Sequence, residues 1–240
     1  MTDFGPRVEI LDGYVASSHP PLYDPVSHAY FDLVPESEPD PTVVVLPNPD
    51  SRGRGQRIAI IDTGLMAGHP LVGQRVVRYV DFTSEGPYDN HGHGTAVALV
   101  LIKTAPEADL ISVKCIDSSG EGSPQALIQA LDWVRSEEPE STLVNISAGI
   151  NRKRWLLFPC DGTCDVCQAT QRLCERGNEV IVAAGNLPEE TLCPAKLGSK
   201  WLISIGGWDA RRRYGKGTIN LDIPRYRAVP IVPRVEPAHP

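Results

Sequence analysis

The sequence predicts one α/β domain built on a mostly parallel β-sheet, and three observations support this fold class. Short aliphatic and β-branched runs recur along the middle of the chain. They alternate with stretches of helical periodicity, and 240 residues suit a single domain. Strands that alternate with helices in this way form a parallel sheet with helices on both faces, and reacting groups gather at the carboxyl ends of its strands.

The predicted elements lie in the central part of the chain. Five strands are expected, at residues 57–61, 110–115, 143–147, 180–183 and 202–205. Three helices are expected, at residues 93–103, 124–135 and 164–176. The second helix has apolar residues at i, i+3, i+4 and i+7 behind a natural N-cap at Ser123, with Pro124 in the first helical position. The third helix should end at Gly177.

Proline divides the chain into three parts. Nine of the 22 prolines lie in residues 1–55 and five in residues 217–240. Because proline breaks helices and removes ladder hydrogen bonds, we interpret 1–55 as an irregular, proline-rich N-terminal lead-in and 217–240 as an extended tail. Residues 56–216 form the predicted folded domain.

Composition excludes several classes of protein. Apolar residues make up 41% and charged residues 22%, as in an ordinary globular chain, and the longest apolar run, Ala96–Ile102, is too short to span a bilayer. The N-terminus lacks the basic start and apolar stretch of a secretory signal, so we expect a cytoplasmic location. The net charge of −7 disfavours nucleic acid, and neither nucleic acid nor a membrane is an expected partner.

Two short blocks place acid–base groups beside predicted strands. Asp62 follows the first strand in Ile60–Gly64, where a turn-capping aspartate and half of a homodimeric aspartic protease site both fit the Asp-Thr-Gly triplet alone. His91 and His93 open the first predicted helix. Their spacing of two disfavours a metal site, because two histidines on one helix face are four apart.

A third block, Val180–Asn186, ends a buried strand with a side-chain amide. The Gly-Asn dipeptide alone is also an ordinary turn, although Asn186 offers an N–H₂ donor and Gly185 allows close approach. An aspartate, a histidine and a donor amide at strand ends of one α/β domain are together the parts of an acyl-transfer site.

These blocks resemble those of the subtilisin-like serine proteases, the subtilases, in the family's order over roughly residues 54–215. Ser204–Asp209 also resembles the strand that follows the family's Asn block. Two further segments resemble the family's peptide-binding edges, and their residues are Gly120, Glu121 and Gly122 on one side and Ser147, Ala148 and Gly149 on the other. The resemblance implies a subtilisin-like three-layer domain that binds an extended peptide or protein substrate as a strand between these edges.

The resemblance also implies three catalytic roles. Asp62 would accept the Nδ1–H of His93 and fix its tautomer. His93 would take the proton of an attacking serine hydroxyl. Asn186 would donate to the oxygen that gains charge in the transition state. The aspartic protease alternative loses its support once the three blocks are taken together.

The family's serine block, Gly-Thr-Ser-x-Ala-x-Pro, has no match in the sequence. Gly217-Thr-Ile-Asn220 carries isoleucine in the serine position. Ser147, Ser199 and Ser204 are poor substitutes because they lie in or beside predicted strands. We therefore expect a domain truncated before its serine, with the C-terminal part of the fold missing.

Two functions stay open. One is the Asp–His–Asn part of a serine endopeptidase whose serine a partner chain supplies, and the other is an inactive pseudoprotease that binds peptides or proteins.

The missing segment should leave an apolar sheet face uncovered, at a cost on the order of 10 kcal/mol for several hundred Å². The tail, a partner or a second copy would have to cover it.

Five of the six cysteines cluster between residues 160 and 193, a pattern that needs its own interpretation. They are Cys160, Cys164, Cys167, Cys174 and Cys193. Their spacing matches neither a double Cys-x-x-Cys zinc motif nor a redox dithiol. Reduced, buried thiols are the favoured interpretation, with local disulfides and a structural metal as alternatives, so we assign no metal ligand and no cofactor.

Overall fold

A seven-stranded parallel sheet forms the centre of the computed structural model, which describes residues 8–10, 52–150, 160–185, 191–208 and 227–230. Its strands, in spatial order, are β10 (Arg227–Pro230), β9 (Leu202–Trp208), β8 (Val180–Ala183), β6 (Leu143–Ile146), β2 (Arg57–Asp62), β4 (Asp109–Lys114) and β3 (Val76–Asp81). A second, antiparallel sheet contains β5 (Glu121–Gly122), β1 (Val8–Ile10) and β7 (Ala148–Ile150). The described helices are α1 (His93–Thr104), α2 (Pro124–Glu137) and α3 (Asp165–Arg176).

Alternate residues of β2 face opposite helix layers. Ile58 and Ile60 pack in a core with residues of α1. Ala59 and Ile61 pack in a second core with residues of α2 and α3. The sheet therefore lies between two helical layers, and the predicted α/β class with a mostly parallel sheet is confirmed.

All three predicted helices are confirmed, and their ends follow local rules. The Ser123 hydroxyl accepts a hydrogen bond of 3.0 Å from the Ala126 backbone N–H, which caps α2. Gly177 ends α3 in the left-handed region, at a φ of 108°, where glycine carries no steric cost. The five predicted strands are confirmed as β2, β4, β6, β8 and β9.

Five of the described strands were not among the predicted strands. Two of them, β5 and β7, lie in the segments that the sequence indicates as peptide-binding edges, and the other three are β1, β3 and β10. β3 lies at the edge of the sheet, and its polar Arg78 and Asp81 interrupt the apolar pattern. β1 and β10 fall in the segments interpreted as an irregular lead-in and an extended tail. The lead-in interpretation is wrong for Val8–Ile10, which pairs with two strands, and Arg227–Pro230 extends the sheet beside β9. The other residues of these two segments lie outside the described ranges.

β8 and β9 have one fully buried face and one half-buried face. Val180, Val182 and Leu202 are buried in the core beneath α2 and α3. The residues on the other face are only half-buried, and they are Ile181, Ala183, Ile203 and Ile205. These four residues, the β8–β9 face, belong to neither of the two cores that the described residues form. The face that was expected to need cover is thus apolar and partly accessible.

No helix in the described stretches has the length and apolar character needed to cross a membrane.

Candidate active site

The carboxyl end of the sheet brings Asp62 and His93 into contact. Asp62 is the last residue of β2, and His93 is the first residue of α1. Asp62 Oδ1 lies 2.7 Å from His93 Nδ1, with the aspartate fully buried and the histidine 7% exposed. A buried carboxylate at this position favours the tautomer in which Nδ1–H donates, which leaves Nε2 as the basic nitrogen.

Further hydrogen bonds hold Asp62 in place. Its Oδ1 also accepts from the Thr63 backbone N–H at 2.7 Å. Its backbone oxygen accepts from the N–H groups of Cys115 and Ile116, at 3.0 and 3.3 Å. Its Oδ2 is buried and has no hydrogen-bond partner among the described residues. A buried charge with so few partners gains much from a cation, so the carboxylate is suited to stabilise a protonated imidazole.

Asp89 fixes the start of α1, and the sequence interpretation gave it no role. Its Oδ1 accepts from the Thr63 hydroxyl and from the backbone N–H groups of His91 and Gly92, at 2.9, 3.0 and 2.7 Å. Its Oδ2 accepts from the backbone N–H and the hydroxyl of Thr95, at 2.9 and 2.5 Å. The carboxylate thus satisfies donors at the positive end of α1 and ties them to the loop after Asp62. The usable signal was an aspartate just ahead of a helix start.

Gly94 allows α1 to approach the loop that carries Asp62. A Cβ at this position would lie 2.2 Å from the Gly64 carbonyl oxygen and 3.2 Å from Asp62 Oδ1. The Gly94 N–H donates to the Thr63 hydroxyl at 3.0 Å. Only glycine permits this distance, so the residue after His93 sets how closely histidine and aspartate meet.

β1 occupies the gap between the two predicted peptide-binding edges. Its residues pair antiparallel on both sides: Val8 with Gly122 and Ile150, Glu9 with Glu121 and Gly149, and Ile10 with Ala148. Ser147 precedes β7, and its hydroxyl accepts from Asn145 Nδ2 at 3.1 Å. An extended stretch of the chain itself therefore adopts the arrangement expected of a bound peptide.

The edge at residues 120–122 is a tight turn organised by Asp117. Gly120 has a φ of 81°, which favours glycine. Asp117 Oδ1 accepts from the Ser119 and Glu121 backbone N–H groups at 2.8 and 3.0 Å. Burial alone would raise the pKa of Asp117, but these bonds, the Ser119 hydroxyl and the charge of Lys114 outweigh it and lower the pKa. The ionised form of Asp117 thus stabilises this edge.

Lys114 is a fully buried cation beside the site that the sequence interpretation missed. It ends β4 in register with Asp62. Its Nζ donates to the Tyr88 carbonyl oxygen at 3.1 Å and lies 3.3 Å from a Glu85 carboxylate oxygen. Hydrogen bonds from Ser118 and the Lys114 charge lower the pKa of Glu85. Lys114 therefore ties the end of β4 to the loop before α1, and Glu85 of that loop accepts from Ser118 in the loop before β5.

Other predicted site residues are placed only in part. Asn186 and the Gly217–Asn220 stretch lie outside the described residues. The described stretch before Asn186 ends at Gly185. Next to it, the Ala184 backbone N–H donates to the Ile205 carbonyl oxygen at 2.7 Å. Ser204 is fully buried and donates to the Ala195 carbonyl oxygen at 2.5 Å, in register with Val182 on the face opposite α1. It cannot serve His93 as a nucleophile.

Cysteine does not replace the serine near Asp62. Burial and the Asp62 carboxylate raise the pKa of the Cys115 thiol far above its usual range, so it stays neutral and unreactive. Among the described residues, one set of three or more potential metal ligands converges, and it contains neither Asp62 nor His93. It consists of Cys160, Cys164, Cys167 and Cys193.

Comparison with known proteins places this geometry in context. A family profile described as the subtilase family matches residues 53–220. The chain is 28% identical over 171 residues to the subtilase-type proteinase RRT12 of Saccharomyces cerevisiae, a match that covers 67% of this chain and 33% of that protein. It is 27% identical over 174 residues to the serine protease AprX of Bacillus subtilis, covering 65% of this chain and 39% of that protein.

The fold is similar to that in the crystal structure of a cold adapted subtilisin-like serine proteinase. The TM-score is 0.63 at 23% sequence identity, and the match covers 76% of this chain and 65% of that chain. The chain spans about a third to two fifths of the length of the two curated relatives above.

Proposed function

The chain belongs to the subtilase family, with a subtilisin-like fold, and on that premise we propose that Asp62 and His93 are two members of a Ser-His-Asp triad. The domain is of the serine protease kind, and the proposed reaction is hydrolysis of a peptide bond. The observation that carries the proposal is the 2.7 Å contact between Asp62 Oδ1 and His93 Nδ1 in a buried setting.

In the proposed reaction, His93 Nε2 takes the proton of a serine hydroxyl as the oxygen attacks the peptide carbonyl carbon. Asp62 holds the ring and stabilises the imidazolium that forms. Imidazolium then gives the proton to the departing amine. Asn186 is proposed to donate to the carbonyl oxygen as it becomes negative. In subtilisin, removal of the corresponding donor lowers turnover by about 10²–10³-fold.

The proposed substrate is an extended peptide or protein segment. Support comes from β1, because it is held antiparallel by residues of both edges, 121–122 and 148–150. Main-chain hydrogen bonds of this kind are independent of side chains, so they bind many sequences. The substrate would have to displace β1 to reach the same edges.

We propose that the serine comes from polypeptide outside residues 1–240. The β8–β9 face supports this idea, because an apolar, half-buried surface on the α1 side of the sheet suits a packed segment.

The six free cysteines fit a reducing compartment such as the cytoplasm.

A second candidate function is a pseudoprotease that binds peptides without cutting them. Two observations favour it. The chain supplies both peptide-binding edges itself, and its sequence has no match to the serine block.

A serine-directed fluorophosphonate probe separates the two functions. Tagged chain is isolated with its associated polypeptides from cells that produce it, then labelled. We expect the probe on a polypeptide other than residues 1–240, and at least a tenfold loss of labelling with His93→Ala. Absence of label in the complex would favour the pseudoprotease. Stoichiometric, His93-dependent label on residues 1–240 themselves would refute an external serine.

A further inference from the structure

The six free cysteines fall into two groups. The Sγ atoms of Cys160, Cys164, Cys167 and Cys193 all lie within 4.8 Å of one another. Cys115 and Cys174 are buried outside this group. Single cysteines are common in protein interiors, but four thiols from separate parts of the chain that converge on one point suit a shared metal ion.

The distances within the cluster suit one tetrahedral metal ion. Four sulfurs at about 2.3 Å from a central zinc ion are about 3.8 Å apart, within the observed limit of 4.8 Å. A disulfide would need two sulfurs at about 2.05 Å, and all six cysteines are free. A closed set of four thiolates with no oxygen or nitrogen ligand is typical of structural zinc.

The surroundings also suit thiolates. Cys164 is the N-cap of α3 and Cys167 lies in its first turn, where the helix dipole favours negative charge. The Gly162 backbone N–H donates to Cys160 Sγ at 3.3 Å, the kind of contact that orients a metal-bound sulfur. Cys164, Cys167 and Cys193 are buried, so a bound ion would be closed off from solvent.

We propose that Cys160, Cys164, Cys167 and Cys193 bind one zinc ion in a tetrahedral, structural site. Binding converts the thiols to thiolates and releases their protons to solvent, so affinity should fall in acid. The site joins the loop before α3 to the chain segment that follows β8. It departs from the sequence interpretation, in which reduced thiols were favoured.

The proposed ion would also hold the chain near the peptide-binding edge. Ile150 N donates to the Cys193 carbonyl oxygen at 2.9 Å, one residue beyond Gly149. Leu192 N donates to the Ala184 carbonyl oxygen at 2.8 Å, two residues before Asn186. Zinc binding itself does not depend on the proposed function, whereas this link to the peptide cleft does.

The test uses the full chain, purified without chelator from zinc-supplemented medium. We expect about one zinc per chain by elemental analysis. X-ray absorption should show four sulfur neighbours at about 2.3 Å. Cys164→Ser and Cys193→Ser should each lower zinc content at least fivefold. Cys174→Ser, a buried cysteine of the same helix, is the matched control and should keep the full content.

A mercurial titration of the unchanged chain covers the case in which ligand variants fail to fold. The reagent should release one zinc ion per chain, followed with a chromogenic chelator, as the four ligand thiols form mercaptides in its place. The proposal is overturned if the folded chain holds no zinc and all six thiols are reduced. A disulfide within the cluster, iron in place of zinc, or equal zinc loss in the control and ligand variants would also overturn it.

Discussion

Gly94 determines how closely His93 can approach Asp62. An alanine Cβ would lie 2.2 Å from the Gly64 carbonyl oxygen. Because that oxygen belongs to the backbone, α1 would have to move to relieve the clash. Intrinsic helix propensity alone would favour alanine by about 1 kcal/mol, so the two effects differ in sign.

We expect Gly94→Ala to lower the free energy of unfolding by about 1–3 kcal/mol, as overpacking does. Urea denaturation measures the change. Gly68→Ala is the control, because an added Cβ there meets nothing within 4 Å, and its effect should stay within about 0.5 kcal/mol. Equal or stabilising effects of the two substitutions would refute the close approach.

Single residues differ in how far sequence could predict their roles. Asp62 and His93 were predictable because they lie in short blocks with a local pattern at a strand end and a helix start. Asp89 also carried a local signal just ahead of a helix start, although its bond to Thr63 spans 26 positions. Lys114 was not predictable, because its role comes from contacts with residues distant in sequence. The Lys114 contact with Tyr88 spans 26 positions, and a lysine at a strand end gives no sign that it is buried.

Lys114 connects the loops around the site through its charge. Burial would raise the pKa of Asp81, but hydrogen bonds from Thr83 and Gly86 and the Lys114 charge outweigh it and lower the pKa. The pKa values of Glu85 and Asp117 are lowered as well. Carboxyl groups with lowered pKa values stabilise the fold above their unfolded pKa of about 4, and this contribution disappears as the pH falls through their folded values.

We therefore expect Lys114→Met to destabilise the fold by about 2 kcal/mol at pH 7. The difference from the unchanged protein should shrink as the pH falls below about 4, through the lowered folded pKa values of these carboxyl groups. Urea denaturation at a series of pH values tests this. Lys103→Met, on the exposed last turn of α1, is the control. A loss that does not vary with pH would mean that packing, and not charge, accounts for Lys114.

β1 competes with any peptide for the edges at residues 121–122 and 148–150. Proline at Glu9 removes a backbone N–H from the centre of this strand, whereas alanine keeps it. Losing one hydrogen bond of about 1 kcal/mol should weaken the competitor about fivefold.

We accordingly expect Glu9→Pro to bind a fluorescent extended peptide about fivefold more tightly than the unchanged chain, measured by fluorescence anisotropy. Glu9→Ala should bind like the unchanged chain. If both variants match the unchanged chain, β1 does not occupy the peptide site in solution.

Long-range pairing also explains which elements the sequence missed. β1 has only three residues, and its partners lie more than 100 positions away, so no local pattern indicates it. The cysteine cluster is similar, since Cys193 reaches the other three across β8. Helices α1, α2 and α3 were predictable because their periodicity and their caps are local.

Exposure of the β8–β9 face should govern how the whole chain behaves in solution. A parallel sheet needs apolar cover on both faces, and Ile181 and Ile203 are half-buried neighbours in register. We expect the chain to bind a hydrophobic dye and to self-associate at low micromolar concentration, as seen by light scattering. A serine-bearing partner should suppress both.

Ile181→Thr with Ile203→Thr should reduce dye binding more than Val77→Thr, a change at an exposed residue of β3. A compact monomer with a cooperative melt and no dye binding would show that the chain already covers this face. That result would favour the pseudoprotease over the enzyme.

The tautomer of His93 tests the central claim most directly, because the proposed chemistry requires a proton on Nδ1 and an unprotonated Nε2. Nitrogen-15 NMR of the imidazole in the folded chain at neutral pH reports both nitrogens. We predict a protonated Nδ1 with a strongly downfield proton that shifts in Asp62→Asn, and an unprotonated Nε2. A neutral ring protonated on Nε2, or a ring unaffected by Asp62→Asn, would contradict the role of Asp62 and His93 as a catalytic pair.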